Sequence, residues 1–225
     1  MRVSVIMPVL NEAQAIGPAL SALTALKPHE IIVVDGGSSD CTRAICATAG
    51  VKVLLSGAGR ARQMNRGALE ATGDVLLFLH ADTRLPASAL RDVAAALSDP
   101  DHVGGRFDVE LDSARPLLKI VGRMISLRSR LTKVSTGDQA IFVRREIFAE
   151  VDGFPNLPLM EDIAFCRRLK RLGEVACLRS KVVTSARRWE TDGVWRTIFR
   201  MWTLKLLYLA GISPARLKQF YGDTR

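Results

Sequence analysis

The sequence predicts an α/β fold: a Rossmann-like, mainly parallel sheet sandwiched by helices, with a basic helical C-terminal extension. Three observations predict it. Short apolar segments rich in Val and Ile recur at residues 3–9, 30–34, 51–55 and 75–79. Helix-period segments separate them, so strand, loop and helix repeat four times before residue 80. The strands are apolar throughout and do not alternate, which is the pattern of parallel strands covered on both faces.

The elements follow in order. The first strand ends at Pro8-Val9-Leu10-Asn11-Glu12, and a helix is expected from about 14 to 26. The second stops at Asp35-Gly36-Gly37-Ser38-Ser39-Asp40, followed by a helix over 41–49. The third leads to Gly57-Ala58-Gly59 and a helix over 62–71, and the fourth to His80-Ala81-Asp82 and a helix over 86–97. Beyond it, strand alternation returns at 105–111, and a basic helix is expected over 116–131. A strand at 139–143, a short helix at 145–151 and a helix over 161–173 complete the domain. Right-handed crossovers place the strand-end loops on one edge, where open α/β sheets bind ligands. Residues 1–185 are thus expected to form one domain, with a ligand-binding half over 1–100 and a second half over 101–185. Residues 186–225 form the extension.

Composition narrows the class. Of 225 residues, 48% are hydrophobic and 24% charged, which excludes a disordered chain. Four cysteines without a CxxC pair read as reduced thiols. Met-Arg runs straight into a strand with no apolar leader, and no uncharged apolar run approaches the ~18 residues of a spanning helix. A cytoplasmic protein is expected. Residues 1–114 carry 10 Lys+Arg against 13 Asp+Glu, whereas residues 115–225 carry 22 against 10. The basic half faces anionic lipid, a polyphosphate or simply water. Nucleic acid is not expected, because aromatic residues interleave with the cations in one segment alone.

Four groups of residues carry candidate chemistry. Asp35 closes a buried strand and is placed to hydrogen-bond a base or ribose, with Gly37 letting the ligand approach the backbone; a turn-forming role is its alternative. His80 and Asp82 alternate at a strand end and so share a side. Asp82 supplies a hard oxygen for Mg²⁺ or Mn²⁺, and His80 an imidazole or a packing surface. Arg60 and Arg62 follow the Gly57 loop as phosphate contacts or as solvated surface; a third glycine is missing, which excludes a dinucleotide fingerprint. Glu161 and Asp162 open a helix, where the dipole favours acids and where a general base can also stand.

These landmarks together resemble the inverting family 2 glycosyltransferases of the GT-A fold, over roughly residues 1–175. Ser4–Glu12 looks like that family's opening strand and nucleotide loop, which brings in Pro8, Leu10 and Glu12. Ile32–Asp40 is similar to its second motif, and Asn65-Arg66-Gly67 to the segment before the metal motif. His80-Ala81-Asp82 stands where the family has Asp-x-Asp, and Met64-Asn65 where it has Arg-Asn. His80-Ala81-Asp82 in combination with Gly59-Arg60-Ala61-Arg62-Gln63-Met64-Asn65 looks like a short soluble subgroup. Gly137-Asp138-Gln139 and Gly153-Phe154 resemble acceptor-side segments. The resemblance implies a nucleotide-sugar donor, with a UDP-sugar favoured, a divalent metal at Asp82, and Asp162 as base for an unknown sugar or lipid-linked acceptor. A nucleotidyltransferase and a non-catalytic nucleotide-sugar-binding protein are the rival readings.

Within the extension, Arg187-Arg188-Trp189 precedes a helix over 194–210 that mixes tryptophans with Arg and Lys. Trp189 is expected to stack on an acceptor sugar. The helix is expected either to lie on an anionic membrane, at its inner face, or to pack on its own domain or across a homodimer.

Overall fold

Strand β1 (Val3–Val9) is buried along its whole length, and the rest of the fold is built outward from it. The computed structural model describes residues 1–220. Alternate side chains of β1 enter opposite layers: Val5, Met7 and Val9 join one core, and Ile6 joins the other. A strand that is apolar on both faces needs helices on both. The first layer receives α1 (Ala13–Ala25), α2 (Thr42–Thr48) and α4 (Ala89–Ala96), and the second receives α3 (Arg60–Glu70).

Parallel partners flank β1, with β2 (Glu30–Asp35) and β3 (Lys52–Leu55) on one side and β4 (Val75–Phe78) on the other. The order β3-β2-β1-β4 reverses direction between β1 and β4, and that crevice lies at the carboxyl ends of the strands. The sheet continues as β7-β6-β8-β5. Here β7 (Phe142–Arg144) runs antiparallel to β4 and to β6 (His102–Asp112), while β8 (Glu174–Ser185) is parallel to β6. The two-residue β5 (Thr83–Arg84) pairs antiparallel to β8. Only β7 and β5 are reversed, so the sheet is mainly parallel, as the sequence predicts.

Several elements depart from the sequence reading. The expected strand at 139–143 starts late, because Gly137–Gln139 forms a 3-10 turn closed by a capping box between Thr136 and Gln139. The helix expected over 161–173 is α7 (Glu161–Leu169). β8 has no counterpart in the reading: its charged Glu174, Arg179 and Lys181 interrupt the apolar pattern, and pairing with β6, not composition, makes it a strand. The helices α5 (Pro116–Thr132), α6 (Arg145–Glu150) and α9 (Val194–Leu209) match expectation, with the short α8 (Arg187–Asp192) and α10 (Pro214–Phe220) added. The extension packs back onto the domain, since Leu204 and Leu217 are buried in the second core. The last residues of the expected extension, 221–225, lie outside the described residues. All four cysteines are free thiols.

Close packing around β7 fixes where the two halves of the sheet meet. At Gly105 an added Cβ would stand 2.4 Å from Phe142 Cζ and 2.6 Å from the Ala176 carbonyl oxygen. The second neighbour is backbone and cannot swing away. Gly105→Ala is therefore expected to destabilise the protein by about 1–3 kcal/mol, measured by urea denaturation; an unchanged midpoint would contradict this packing.

Candidate functional site

The loops after β1 and β2 are braced to one another by side chains that need no ligand. Asn11 adopts φ 54° and receives the Ser39 amide at 2.9 Å, while its own amide donates to Ser38 Oγ at 2.9 Å. The Glu12 amide donates to Thr42 Oγ1 and that of Ala13 to Asp40. Glu12 also starts α1, its carbonyl accepting the Ala15 and Ile16 amides. Beneath them Gln63 is buried and donates from Nε2 to the carbonyls of Val9 and Val34, each at 2.8 Å. It ties the ends of β1 and β2 together. The segment 59–65 includes Gln63 without giving it a role; a glutamine on the inner face of an amphipathic helix is the signal available in the sequence.

Asp35 shows its alternative, turn-forming role. Its carboxylate is fully buried and accepts from the Ser38 amide at 2.8 Å, Ser38 Oγ at 2.7 Å and the Gly37 amide at 3.2 Å, with Arg43 at 3.5 Å. Gly37 has φ +99° and open space where a Cβ would lie, which suits a backbone exposed to a ligand. Pro8 is buried within β1, and Leu10 is half-buried at the edge of the loop.

The chemistry concentrates one step further along the sheet. Asp162, half-buried in the first turn of α7, accepts the Gly137 amide at 2.9 Å and the Ile163 amide at 2.7 Å. On the other side of Gly137 stands the His80 ring: a Cβ at Gly137 would lie 2.7 Å from Nε2. The turn 137–139 thus joins the end of β4 to the start of α7. Asp82 follows on the same strand end, accepting Thr83 Oγ1 at 3.3 Å. Arg60 acts electrostatically on both Glu161 and Asp162, and Arg188 on Asp82.

Three acids are pushed toward neutrality here. Burial raises the Asp162 and Asp138 carboxyls, against the pull of Arg128. Burial and then the neighbouring Asp162 raise Glu161 to about 7. Arg128 also keeps Nε and Nη2 buried without a hydrogen-bond partner among the described residues. It is a site residue that sequence reasoning missed, hidden among the cations of α5. Desolvated charge gathered at a strand-end cleft is typical of working sites.

Three predicted residues lie elsewhere. Gln139 is fully buried, with Nε2 donating to the Phe107 carbonyl and Ser129 Oγ, so it builds the turn and does not face an acceptor. Trp189 is half-buried and packs with Val194 and Ile198 against a satellite core around Leu118. Arg62 turns back onto its own loop, its Nη1 filling the space beside Gly57. Asn65 serves as an anchor. Its side-chain amide makes a reciprocal pair with the Phe154 backbone, at 2.7 Å and 2.9 Å, and so holds the loop before α7. Among the described residues no group of three or more His, Cys, Asp or Glu is gathered to hold a metal. Asp82 with His80 is the donor set available, which fits an ion completed by phosphate oxygens.

Known proteins agree with this architecture. The family described as Glycosyl transferase family 2 matches residues 4–151. Glycosyltransferase AglE of Haloferax volcanii is 24% identical, over 94% of this chain and 81% of its own. The undecaprenyl-phosphate 4-deoxy-4-formamido-L-arabinose transferase of Yersinia enterocolitica is 30% identical over 64% of this chain, which spans 48% of that protein's length. In fold, the mannosyltransferase PcManGT of Pyrobaculum calidifontis, solved with GDP-Man and Mn²⁺, aligns with a TM-score of 0.70. It does so at 20% identity over 95% of this chain and 66% of its own.

Glu161 yields a pH test. Its folded carboxyl titrates at about 7 against an ordinary 4.5, so between those values the folded state holds more protons than the unfolded one. Stability therefore falls as pH rises through that window, by about 3 kcal/mol. Glu161→Gln is expected to stabilise the protein at pH 8 and to leave it nearly unchanged at pH 4.5, read from thermal melts. Equal effects at both values would refute the shift.

Proposed function

Because the chain belongs to glycosyl transferase family 2, we propose that it moves a sugar from a nucleotide diphosphate to an acceptor hydroxyl with inversion, using Asp162 as the base. The observation that carries this reading is the Asp162 carboxylate, oriented by two amides and separated from the β4 strand end by nothing larger than Gly137. Asp162 takes the proton of the acceptor hydroxyl as its oxygen attacks the anomeric carbon. The bond from that carbon to the diphosphate oxygen breaks, and a single displacement inverts the centre. A raised carboxyl is a stronger base than an ordinary one, and it becomes active as pH rises through its own titration. Arg60 stands near enough to the acids to face the departing diphosphate.

Asp82 would hold a divalent ion, with His80 beside it; a bound ion would neutralise charge on the diphosphate. The Asp82 carboxylate suits either Mg²⁺ or Mn²⁺. The loops around Gly37 would receive the nucleoside, and a UDP-sugar is the donor to try first. Asp138 and Arg128 would meet the acceptor.

Two experiments test the reading. Asp162→Asn is expected to lower turnover by roughly 10²–10⁴-fold while nucleotide-sugar affinity stays within about twofold; undiminished turnover would remove Asp162 from this role. In a thermal-shift panel of UDP-, GDP-, dTDP- and CDP-sugars with and without Mn²⁺, the true donor at ~100 times its Kd should stabilise by about 2.7 kcal/mol. That shift is expected to need Mn²⁺ and to vanish in Asp82→Ala. A shift indifferent to both would exclude a metal at Asp82, and no shift with any sugar would overturn the transferase reading.

A further inference from the structure

Helices α5 and α9 present a second surface that the transfer chemistry does not use. Along α5, Leu117, Ile120, Met124, Leu127 and Leu131 are all exposed. Their spacing of three and four residues puts them in one stripe. Along α9, Trp195, Phe199, Trp202, Leu206 and Leu209 repeat the pattern, with exposures from 47% to 69%. The inner faces meet: Leu118, Val121 and Ile125 of α5 share a satellite core with Val194 and Ile198 of α9. The two stripes therefore belong to neighbouring helices. Apolar area of this extent at the surface of a protein marks an interaction site.

Charge identifies the occupant. Neither helix contains an Asp or Glu, and the exposed cations Lys119 and Arg123 of α5 and Arg196 of α9 accompany the stripes, while Arg130 and Arg200 are paired with Asp108 and Asp192. A second copy on this face would set the exposed Lys119, Arg123 and Arg196 against their own counterparts, an unfavourable meeting of like charges. An anionic bilayer meets both demands: tryptophan and leucine enter the headgroup boundary, and Lys and Arg pair with lipid phosphate. Beside the α5 stripe a groove of about 380 Å³ is lined by Lys119 and Arg123. Its acids, Asp108 and Glu110, are already paired with Arg130 and Lys181. Among the described residues no helix is long and apolar enough to cross a membrane, so contact through these helices is contact in the interface plane.

We infer that the joined faces of α5 and α9 dock this protein on an anionic membrane surface, holding the cleft at the bilayer. Lys205 of α9 and Arg128 of α5 both act electrostatically on Asp162, so the docking helices border the site. Under the proposed transferase reading, on which this last step rests, the acceptor hydroxyl is carried by a lipid.

The test is co-sedimentation of the full chain with vesicles of phosphatidylcholine alone and of phosphatidylcholine mixed with phosphatidylglycerol. Binding is expected to the anionic vesicles alone and to weaken with added salt. It should fall roughly fivefold or more in Ile120→Glu/Met124→Glu and in Trp195→Glu/Phe199→Glu, with Lys119→Glu/Arg123→Glu reporting the charge contribution separately. The nucleotide-sugar thermal shift, taken without vesicles, should persist in each variant and shows that each is folded. No binding to anionic vesicles, or binding indifferent to these substitutions, would overturn the inference. So would a dimer in solution that the same substitutions dissolve. Vesicle binding without any nucleotide-sugar shift would leave the docking face standing and refute the transferase reading alone.

Discussion

A missing Cβ at position 137 sets the geometry on which the site depends. The Gly137 amide donates to Asp162, and its bare Cα lies against the His80 ring. Any larger residue would push the two apart or rotate the ring. Because β4 and α7 are far apart in sequence, nothing local holds His80 and Asp162 in register. The turn does so because it is itself fixed from below. The Gln139 side chain is buried and donates to Phe107 of β6 and Ser129 of α5, and its oxygen receives the Thr136 amide. A buried polar group with every hydrogen bond made is stiff, and this stiffness passes to the turn.

The same economy of scaffold recurs at the loop preceding α7. Asn65 clasps the Phe154 backbone at both donor and acceptor, and the Phe154 ring stacks on Phe165 at 4.3 Å and meets Phe78 edge-on at 4.8 Å. Phe78 ends β4 and Phe165 lies within α7, so one aromatic cluster fixes the strand and helix that carry the candidate chemistry. Asp162 then needs no side-chain partner to orient it. Its two amide donors suffice, and they offset part of the cost of holding a carboxylate out of water.

What the sequence made legible follows from range. The parallel half was readable because β1, β2 and β4 are largely apolar and each loop is punctuated by Gly, Asn or Asp, all local signals. Asp82, His80 and Asp162 were readable as residues at the ends of such elements. β8 was not, since its charged positions make sense only beside β6. Gln139 departs from the reading for a related reason. It stands next to residues of the site in sequence, yet its side chain points inward to Ser129 of the distant α5. Asp35 was read as ligand-binding because a buried carboxylate needs partners; the partners were supplied by its own loop, three residues on. Arg128 was lost among the many cations of the C-terminal half, where only burial separates a site residue from a solvated one.

Helix α5 connects the scaffold, the site and the outer surface. Toward the sheet, Ser129 receives Gln139 and the Ser126 carbonyl receives the buried Arg106, which pairs with Asp108; Arg130 takes the other oxygen of that carboxylate. Toward the site, it sends Arg128 among the acids. Toward solvent, it shows an apolar stripe with cations on its flanks. A helix pinned in this way on its inner side is a rigid support, so the turn that orients Asp162 and the stripe that faces solvent are held by one and the same element.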